Sequence, residues 1–296
     1  MPGAIRLAIA LLAVMLGPGC GDGPRPPALK GAPDEPRIVV LSPALGVVLH
    51  DLGLREHIVG RHGYDTVLDQ SIPVCGEQNG VNYEALLRAR PTHVITEWGT
   101  RELPAKLAGL AESNGWVLRD FRMLTLGDVD AAATALGGML PQASPSARIS
   151  RMHELAGAAP PDRLWSGRVL LLMDVSPIAA IGPGSAHHEL LVRVGGVPAI
   201  SEGSPYMPMH KEDVARLAPD AIILIRPARA GVDPDEPPGA AEARRDQLGA
   251  IASLDIPAAR AGRLAIVDHP LALLPSTALA DVADEFAALL GAWAEQ

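Results

Sequence analysis

The sequence predicts an α/β protein made of two similar lobes joined by a helical connector. Short apolar runs rich in β-branched residues alternate along the chain with longer segments of helical periodicity, which is typical of lobes built on largely parallel sheets. A motif of 15 residues occurs twice, once in each half of the chain. Such a repeat indicates two lobes built on one plan.

The strands and the last helix can be placed from composition and spacing. The final segment is the clearest helix, because apolar residues recur at helical spacing after Ser276 and Thr277, either of which could cap it. We expect this helix to close the core of the second lobe. The predicted strands are residues 37–41, 93–96, 168–173, 221–225 and 264–267.

The repeated motif is the most informative feature of the sequence. Its copies are VNYEALLRARPTHVI at residues 81–95 and MHKEDVARLAPDAII at residues 209–223. Each copy has a Glu at its fourth position, an apolar helical stripe, a proline at its eleventh position and a strand after that. The motif therefore predicts a short helix in each lobe with Glu84 or Glu212 in its first turn.

Two helical segments separate the copies of the motif. Residues 128–140 and 146–158 have helical periodicity, and the segment PQASP interrupts them. A helical connector allows less hinge motion than crossing strands do. We therefore expect the lobes to move only slightly relative to each other.

Composition excludes two classes of protein. The chain has 296 residues, of which 48% are apolar, and this content is enough for a large core and argues against disorder. The formal net charge of −9 is spread without basic runs. Nucleic acid is therefore not an expected partner.

The first 36 residues indicate export and a membrane tether. Arg6 precedes a short apolar run that ends in small residues and Cys20, and this run is too short to cross a bilayer but fits an export signal over residues 1–20. The position of Cys20 predicts lipid modification. Residues 21–36 contain five prolines and predict an extended tether. If lipid occupies Cys20, Cys75 is the only remaining thiol, so the mature chain has no internal disulfide.

The order of these features resembles the periplasmic binding proteins for vitamin B12, iron siderophores and haem. The resemblance implies a class III fold, in which two Rossmann-like lobes are joined by a rigid connecting helix. It divides the chain into residues 37–142, 143–160 and 161–296 for the first lobe, the helix and the second lobe. It also implies a monomer without catalytic activity. The matching segments are residues 37–65, the two repeats, residues 181–200 and residues 256–269.

The resemblance assigns docking and ligand contacts residue by residue. In that family a Glu on each lobe docks to an ABC permease, which works with its ATPase, and these positions match Glu84 and Glu212. The family's cleft aromatic residues match Tyr64, Trp98 and Tyr206, which would cover a flat macrocycle. The ligand implied is cobalamin or another metal-tetrapyrrole or iron chelate, and no intrinsic cofactor is expected.

Some positions depart from the cobalamin-binding pattern. Gln78 stands where that pattern has a second cleft tryptophan, and Ala179 replaces a phenylalanine. Residues 274–278 lack the Asp and Arg of the pattern. Haem or an iron siderophore is therefore an alternative ligand. Further candidate ligand contacts are Gln78, His62, His187 and His269.

Two other classes of function stay open at this level. A binder of free metal ions would need three or four converging ligands, for which His62, Glu97 and His188 are candidates. A chelatase-like enzyme would need an acid or base beside a metal ligand, and Glu97 with His62 is the pair available. The sequence contains no nucleophile motif, phosphate loop or paired metal-ligand spacing.

Overall fold

The computed structural model describes residues 35–99, 102–159, 161–227 and 247–296. The predicted export signal, Cys20 and residues 21–34 of the predicted tether lie outside these ranges. Within them, no helix combines the length and the apolar character that a membrane crossing requires.

The first sheet has the strand order β4-β3-β2-β1-β5-β6. All neighbouring strands are parallel except the β3–β4 hairpin. The carboxyl ends of β1, β2, β5 and β6 therefore meet at one edge, where ligands bind in open α/β sheets. The strands are β1 Ile38–Val40, β2 Ile58–His62, β3 Val74–Glu77, β4 Gly80–Val81, β5 His93–Thr96 and β6 Val117–Asp120.

The helices of the first half lie around this sheet and lead to the second lobe. Ser42 caps the first of them, because its hydroxyl accepts a hydrogen bond from the Leu45 amide at 3.2 Å. A 3₁₀ turn spans Arg55–His57. The helices are α1 Pro43–Asp51, α2 Tyr83–Ala89, α3 Ala105–Asn114, α4 Leu126–Met139 and α5 Ala147–Gly157.

The second sheet has the order β10-β8-β7-β11-β12, and β9 also pairs with β7. Strands β7, β11 and β12 are parallel, whereas β8 and β10 run antiparallel to their neighbours. The strands are β7 Arg168–Val175, β8 Ile178–Ile181, β9 Val197–Pro198, β10 Tyr206–Pro208, β11 Ala221–Arg226 and β12 Leu264–Asp268. The helices are α6 Ala186–Arg193, α7 Lys211–Leu217, α8 Pro257–Arg260 and α9 Leu279–Ala294, with a 3₁₀ turn at Gly249–Ser253.

The repeated motif forms the same structure in both lobes. It gives helices α2 and α7, each followed by a residue with positive φ, a proline and a parallel strand. The positive-φ residues are Arg90, with φ of 47°, and Ala218, with φ of 44°. Because neither is glycine, each of these helix ends carries local backbone strain.

An arginine stabilises each of these helix ends. The Arg37 guanidinium donates to the Ala89 carbonyl at 2.7 Å and to the Arg90 carbonyl at 3.0 Å. Arg168 donates to the two equivalent carbonyls at the end of α7, at 2.9 and 2.8 Å. These bonds satisfy carbonyls that a helix leaves unpaired at its carboxyl end.

A single hydrophobic cluster runs through both lobes. It includes Leu45 of α1, Leu136 of α4, Met152 of α5 and Phe286 of α9, all of them buried. Residues 36–296 accordingly form one compact unit. This shared core is a physical reason to expect little movement between the lobes.

Polar bonds also join the lobes beside the shared core. The Thr277 hydroxyl donates to the buried Asp51 carboxylate at 2.5 Å, and the Arg148 guanidinium pairs with Asp281 at the same distance. The expected cap of the last helix is wrong: α9 begins after Ala278, which makes no side-chain capping bond. The Thr277 hydroxyl serves the lobe interface instead.

Candidate functional site

The predicted aromatic residues of the first lobe lie beyond the carboxyl ends of its strands. Tyr64 follows β2 and has 64% of its surface exposed. Trp98 follows β5 and is partly exposed. Exposed aromatic side chains at this edge can cover a flat, apolar ligand.

Trp98 lines a cavity of about 600 Å³ within the first lobe. This volume lies in the range of small-molecule sites. Tyr83 and Glu77 also line the cavity, and the Lys106 ammonium lies 4.2 Å from the centre of the Tyr83 ring. Gln78 is not among the lining residues; it is exposed in the turn between β3 and β4.

The Glu97 side chain is held at the same edge of the sheet by Ser42, which follows the carboxyl end of β1. The Ser42 hydroxyl donates to its carboxylate at 2.5 Å. Burial raises the pKa of the Glu97 carboxyl, the Ser42 bond opposes this shift, and the nearby Asp120 adds to it. Burial and Asp120 thus favour the neutral form of the Glu97 carboxyl, and the Ser42 hydrogen bond favours the charged form.

Tyr206 extends the site to the second lobe. It lies on β10, where it pairs with Ile181, and 41% of its surface is exposed. Burial raises the pKa of the Tyr206 hydroxyl, and the Glu97 carboxylate raises it further. The electrostatic interaction places two predicted site residues from different lobes near each other.

His62 lies beside Tyr64 at the end of β2. The ring centres are 5.6 Å apart, and the Tyr64 amide donates to His62 Nδ1 at 3.1 Å. Burial lowers the pKa of His62, while Asp65 and Glu77 oppose the shift. The ring is thus positioned by its own loop, whereas the Glu97 carboxylate bonds to Ser42.

The prediction that His187 of the second lobe contacts the ligand is wrong. His187 is 0% exposed and its Nε2 donates to the Ala272 carbonyl at 2.6 Å, because it lies on the buried face of α6. It packs inside the lobe and presents no atom to a ligand.

The two other second-lobe histidines are each engaged by their surroundings. His188 Nε2 donates to the Ile200 carbonyl at 3.0 Å. His269 accepts from the Leu271 amide, and its Nε2 lies 3.7 Å from Asp281. Burial lowers the pKa of His269.

The candidate metal ligands do not converge. Among the residues that the structure describes, no group of three or more His, Cys, Asp or Glu side chains could hold a metal ion. His62, Glu97 and His188 each bond to different partners. The binder of free metal ions therefore has no site in these parts of the chain.

The two carboxylates of the repeat are both on the surface. Glu84 has 75% of its side chain exposed and forms an ion pair with Arg88 one helical turn later. Glu212 is exposed in the first turn of α7. Asn82 caps α2 through a 3.1 Å bond from the Ala85 amide, so each Glu has a fixed place at a helix start.

Ser42 and Asp120 also belong to this site, although neither was predicted from the sequence as a site residue. The Asp120 carboxylate accepts from the Thr96 hydroxyl at 2.5 Å and from the Trp98 amide at 2.7 Å, and so orients the loop that carries Glu97. For Ser42, a polar residue directly after the predicted strand 37–41 was the available signal, whereas β6, which Asp120 ends, was not predicted. For Ser42 that signal includes the following Pro43, which is typical of a helix start.

Comparison with solved structures identifies the fold of this chain. No protein-family model matches the chain, and no curated protein matches it by sequence. The vitamin B12 binding protein BtuF of Vibrio cholerae has a similar structure, with a TM-score of 0.60, 16% identity and coverage of 89% of this chain and 100% of that chain.

Two haem-binding structures are similar to the same degree. The periplasmic haem-binding protein HutB of Vibrio cholerae gives a TM-score of 0.64 at 16% identity, covering 87% of this chain and 99% of that one. A periplasmic haem-binding protein from Pseudomonas aeruginosa gives 0.57 at 21% identity, covering 88% and 93%. The chain therefore has the α/β fold of the class III periplasmic binding proteins.

Proposed function

We propose that this protein is the substrate-binding component of an ABC importer, which captures a corrinoid between its lobes and delivers it to a permease. The observation that carries the proposal is the fold, shared over 89% of the chain with a protein that binds vitamin B12. Tyr64, Trp98 and Tyr206 support it, because two of these rings are exposed, that of Trp98 is partly exposed, and a macrocycle can stack on them. No chemical step is part of this proposal.

The binding proposal is tested with purified protein and a coloured ligand. Cyanocobalamin is added in excess, the unbound ligand is removed by gel filtration, and the absorbance of the protein fraction is measured. We expect about one equivalent of pigment to co-elute. Trp98→Ala should weaken binding about tenfold, since stacked aromatic area contributes on the order of 1 kcal/mol or more. Trp116→Ala is the matched control, because Trp116 lies just before the amino end of β6, at the opposite edge of the sheet from Trp98, and it should leave binding unchanged.

Haem is the second candidate ligand. The likeness to HutB and to the Pseudomonas aeruginosa protein, both of them haem-binding proteins, favours it. Co-elution of haem in place of cyanocobalamin in the same experiment would select this alternative. A protein that retains neither pigment would contradict both.

We propose that Glu84 and Glu212 form the two points that dock to the permease. Their exposure, and their equivalent places on α2 and α7, support this role. Replacing both with alanine should leave ligand affinity unchanged and abolish uptake of labelled ligand by cells. Alanine at Glu56 and Glu112, which are also exposed, is the control pair. Lost affinity in the docking variant would contradict the assignment.

We also propose that the protein acts outside the cytoplasm as a monomer, anchored by lipid at Cys20. The charge, apolar run and cysteine at the start of the sequence support export and anchoring. Cys20→Ser should move the protein from the membrane fraction to the soluble fraction of fractionated cells. Retention of that variant in the membrane would contradict the anchor.

A further inference from the structure

Residues 63–73 connect β2 to β3 and form the loop that carries Tyr64, here named the Tyr64 loop. Its second side chain after Gly63 is 64% exposed, whereas the next residue, Asp65, is only 1% exposed. The Asp65 Oδ1 atom accepts from the Val67 amide at 2.9 Å and from the Leu68 amide at 2.8 Å. A short polar side chain that accepts from backbone amides two and three residues later fixes a tight turn. The exposed Tyr64 ring therefore projects from a turn whose shape is set by its buried neighbour.

Two further side chains hold the Tyr64 loop together. Arg61 is buried, and its guanidinium donates to the His62 carbonyl at 3.0 Å and to the Gln70 carbonyl at 3.2 Å. The Gln70 side-chain amide donates to the Asp65 carbonyl at 3.0 Å and to the Leu68 carbonyl at 2.9 Å. These bonds join the beginning of the loop to its later part, so the loop has a defined shape of its own.

The Tyr64 loop rests on α1 at a position that requires glycine. A Cβ atom at Gly46 would overlap with the Oδ2 atom of Asp65 and would lie 3.5 Å from the Leu68 side chain. Glycine allows this close approach because it has no Cβ. Any other residue at position 46 would therefore displace Asp65 and the turn that Asp65 holds.

The Tyr64 loop also contacts the second lobe. Val67 packs against a small buried cluster that consists of Val47 of α1 and of Leu271 and Ala278 of the second lobe. The Leu271 amide in turn donates to His269 Nδ1 at 3.2 Å. The loop that carries Tyr64 is thus packed against the segment of the second lobe that follows β12.

We infer that Asp65 is a positioning residue for ligand binding, which holds the Tyr64 loop in its binding shape before the ligand arrives. The inference rests on the proposed function and adds to it a residue that acts through Tyr64. A ring that is already held in place loses less conformational freedom when a ligand stacks on it, and binding is tighter for that reason.

A double-mutant cycle tests whether Asp65 acts through Tyr64. Dissociation constants are measured for cyanocobalamin, or for haem if the protein retains only haem, by quenching of tryptophan fluorescence. Asp65→Ala should weaken binding about fivefold in the otherwise wild-type chain, because the two amides lose their acceptor. In the Tyr64→Ala chain the same substitution should weaken binding less than about twofold.

The conservative variant Asp65→Asn separates the acceptor from the mere presence of a side chain. Its amide oxygen can accept from the Val67 and Leu68 amides as Oδ1 does. We expect Asp65→Asn to bind the ligand within about twofold of wild type.

A substitution outside the loop provides an independent test. Gly46→Ala should weaken binding at least about threefold, because the added Cβ displaces Asp65. Gly138→Ala is the matched control within α4, where a Cβ would meet no described atom within 4 Å, and it should leave binding unchanged.

Hydrogen exchange of the unliganded wild-type protein tests the loop without any variant, so the inference stays testable if Asp65→Ala does not fold. The Val67 and Leu68 amides should exchange at least about a hundredfold more slowly than in the unfolded chain. Exchange as fast as in the unfolded chain would show that the loop is not formed in advance and would overturn the inference.

The outcomes distinguish the inference from the proposed function. Equal losses from Asp65→Ala with and without the Tyr64 ring overturn the inference and leave the proposed function standing. The same holds if Asp65→Asn binds as weakly as Asp65→Ala, or if Gly46→Ala binds as tightly as Gly138→Ala. A wild-type protein that retains neither pigment overturns both.

Discussion

His187 is the residue whose environment has the most direct consequence for stability. It is fully buried, Nε2 donates to Ala272, and Nδ1 has no hydrogen-bond partner in the described structure. Burial holds the pKa of His187 below its usual value of 6.5. The unfolded chain therefore takes up the proton first, so the contribution of neutral His187 is complete above about pH 6.5 and declines as the pH falls. Between the unfolded and folded pKa values the free energy of unfolding should decrease by about 1.4 kcal/mol per pH unit from this group.

The variant His187→Gln isolates that contribution. Its amide nitrogen can replace Nε2 as donor to Ala272, so we expect a loss of only about 1 kcal/mol at pH 8. Between pH 8 and pH 5 the variant should lose less stability than wild type in urea unfolding. Parallel pH profiles for the two proteins would contradict this role. The resemblance predicted that His187 contacts the ligand. The structure shows instead that His187 lies on the buried face of α6.

At the scale of elements, the repeated helix is the feature that the sequence predicted best. The spacing of Glu, apolar residues and proline located α2 and α7 and the strands after them, because these are local properties of about 15 residues. The structure also has seven strands that were not predicted, since each spans only two to five residues; they are β2, β3, β4, β6, β8, β9 and β10. The bond from Ser42 to Glu97 joins residues 55 positions apart and has no local signal.

Because Ala218 has a positive φ at the end of α7, glycine should have opposite effects on stability at this position and within the helix. Ala218→Gly should raise the free energy of unfolding by about 0.5–1 kcal/mol, because glycine adopts positive φ without a steric cost. Ala215→Gly, at an exposed position within α7, should lower it by about 0.5–1 kcal/mol. Chemical denaturation of both variants checks the pair. A destabilised Ala218→Gly protein would show that φ at this position is not the source of strain.

At the scale of the whole molecule, the contact between Thr277 and Asp51 links the two lobes. Thr277→Val keeps the shape of the side chain and leaves a buried carboxylate without its hydroxyl donor. We expect a loss of about 1–3 kcal/mol in urea unfolding. Thr134→Val, on the exposed side of α4, should change stability by less than about 0.5 kcal/mol. A Thr277 variant as stable as the control would contradict the link.

The hydrophobic cluster that passes through both sheets determines how this protein responds to heat. Since Leu45, Leu136, Met152 and Phe286 belong to one buried group, neither half can expose its share of that group without opening the share of the other. A calorimeter should record one endotherm whose van't Hoff and calorimetric enthalpies agree. Damage confined to one sheet would then lower the melting temperature of the entire body, and the other half would not persist as a folded remnant.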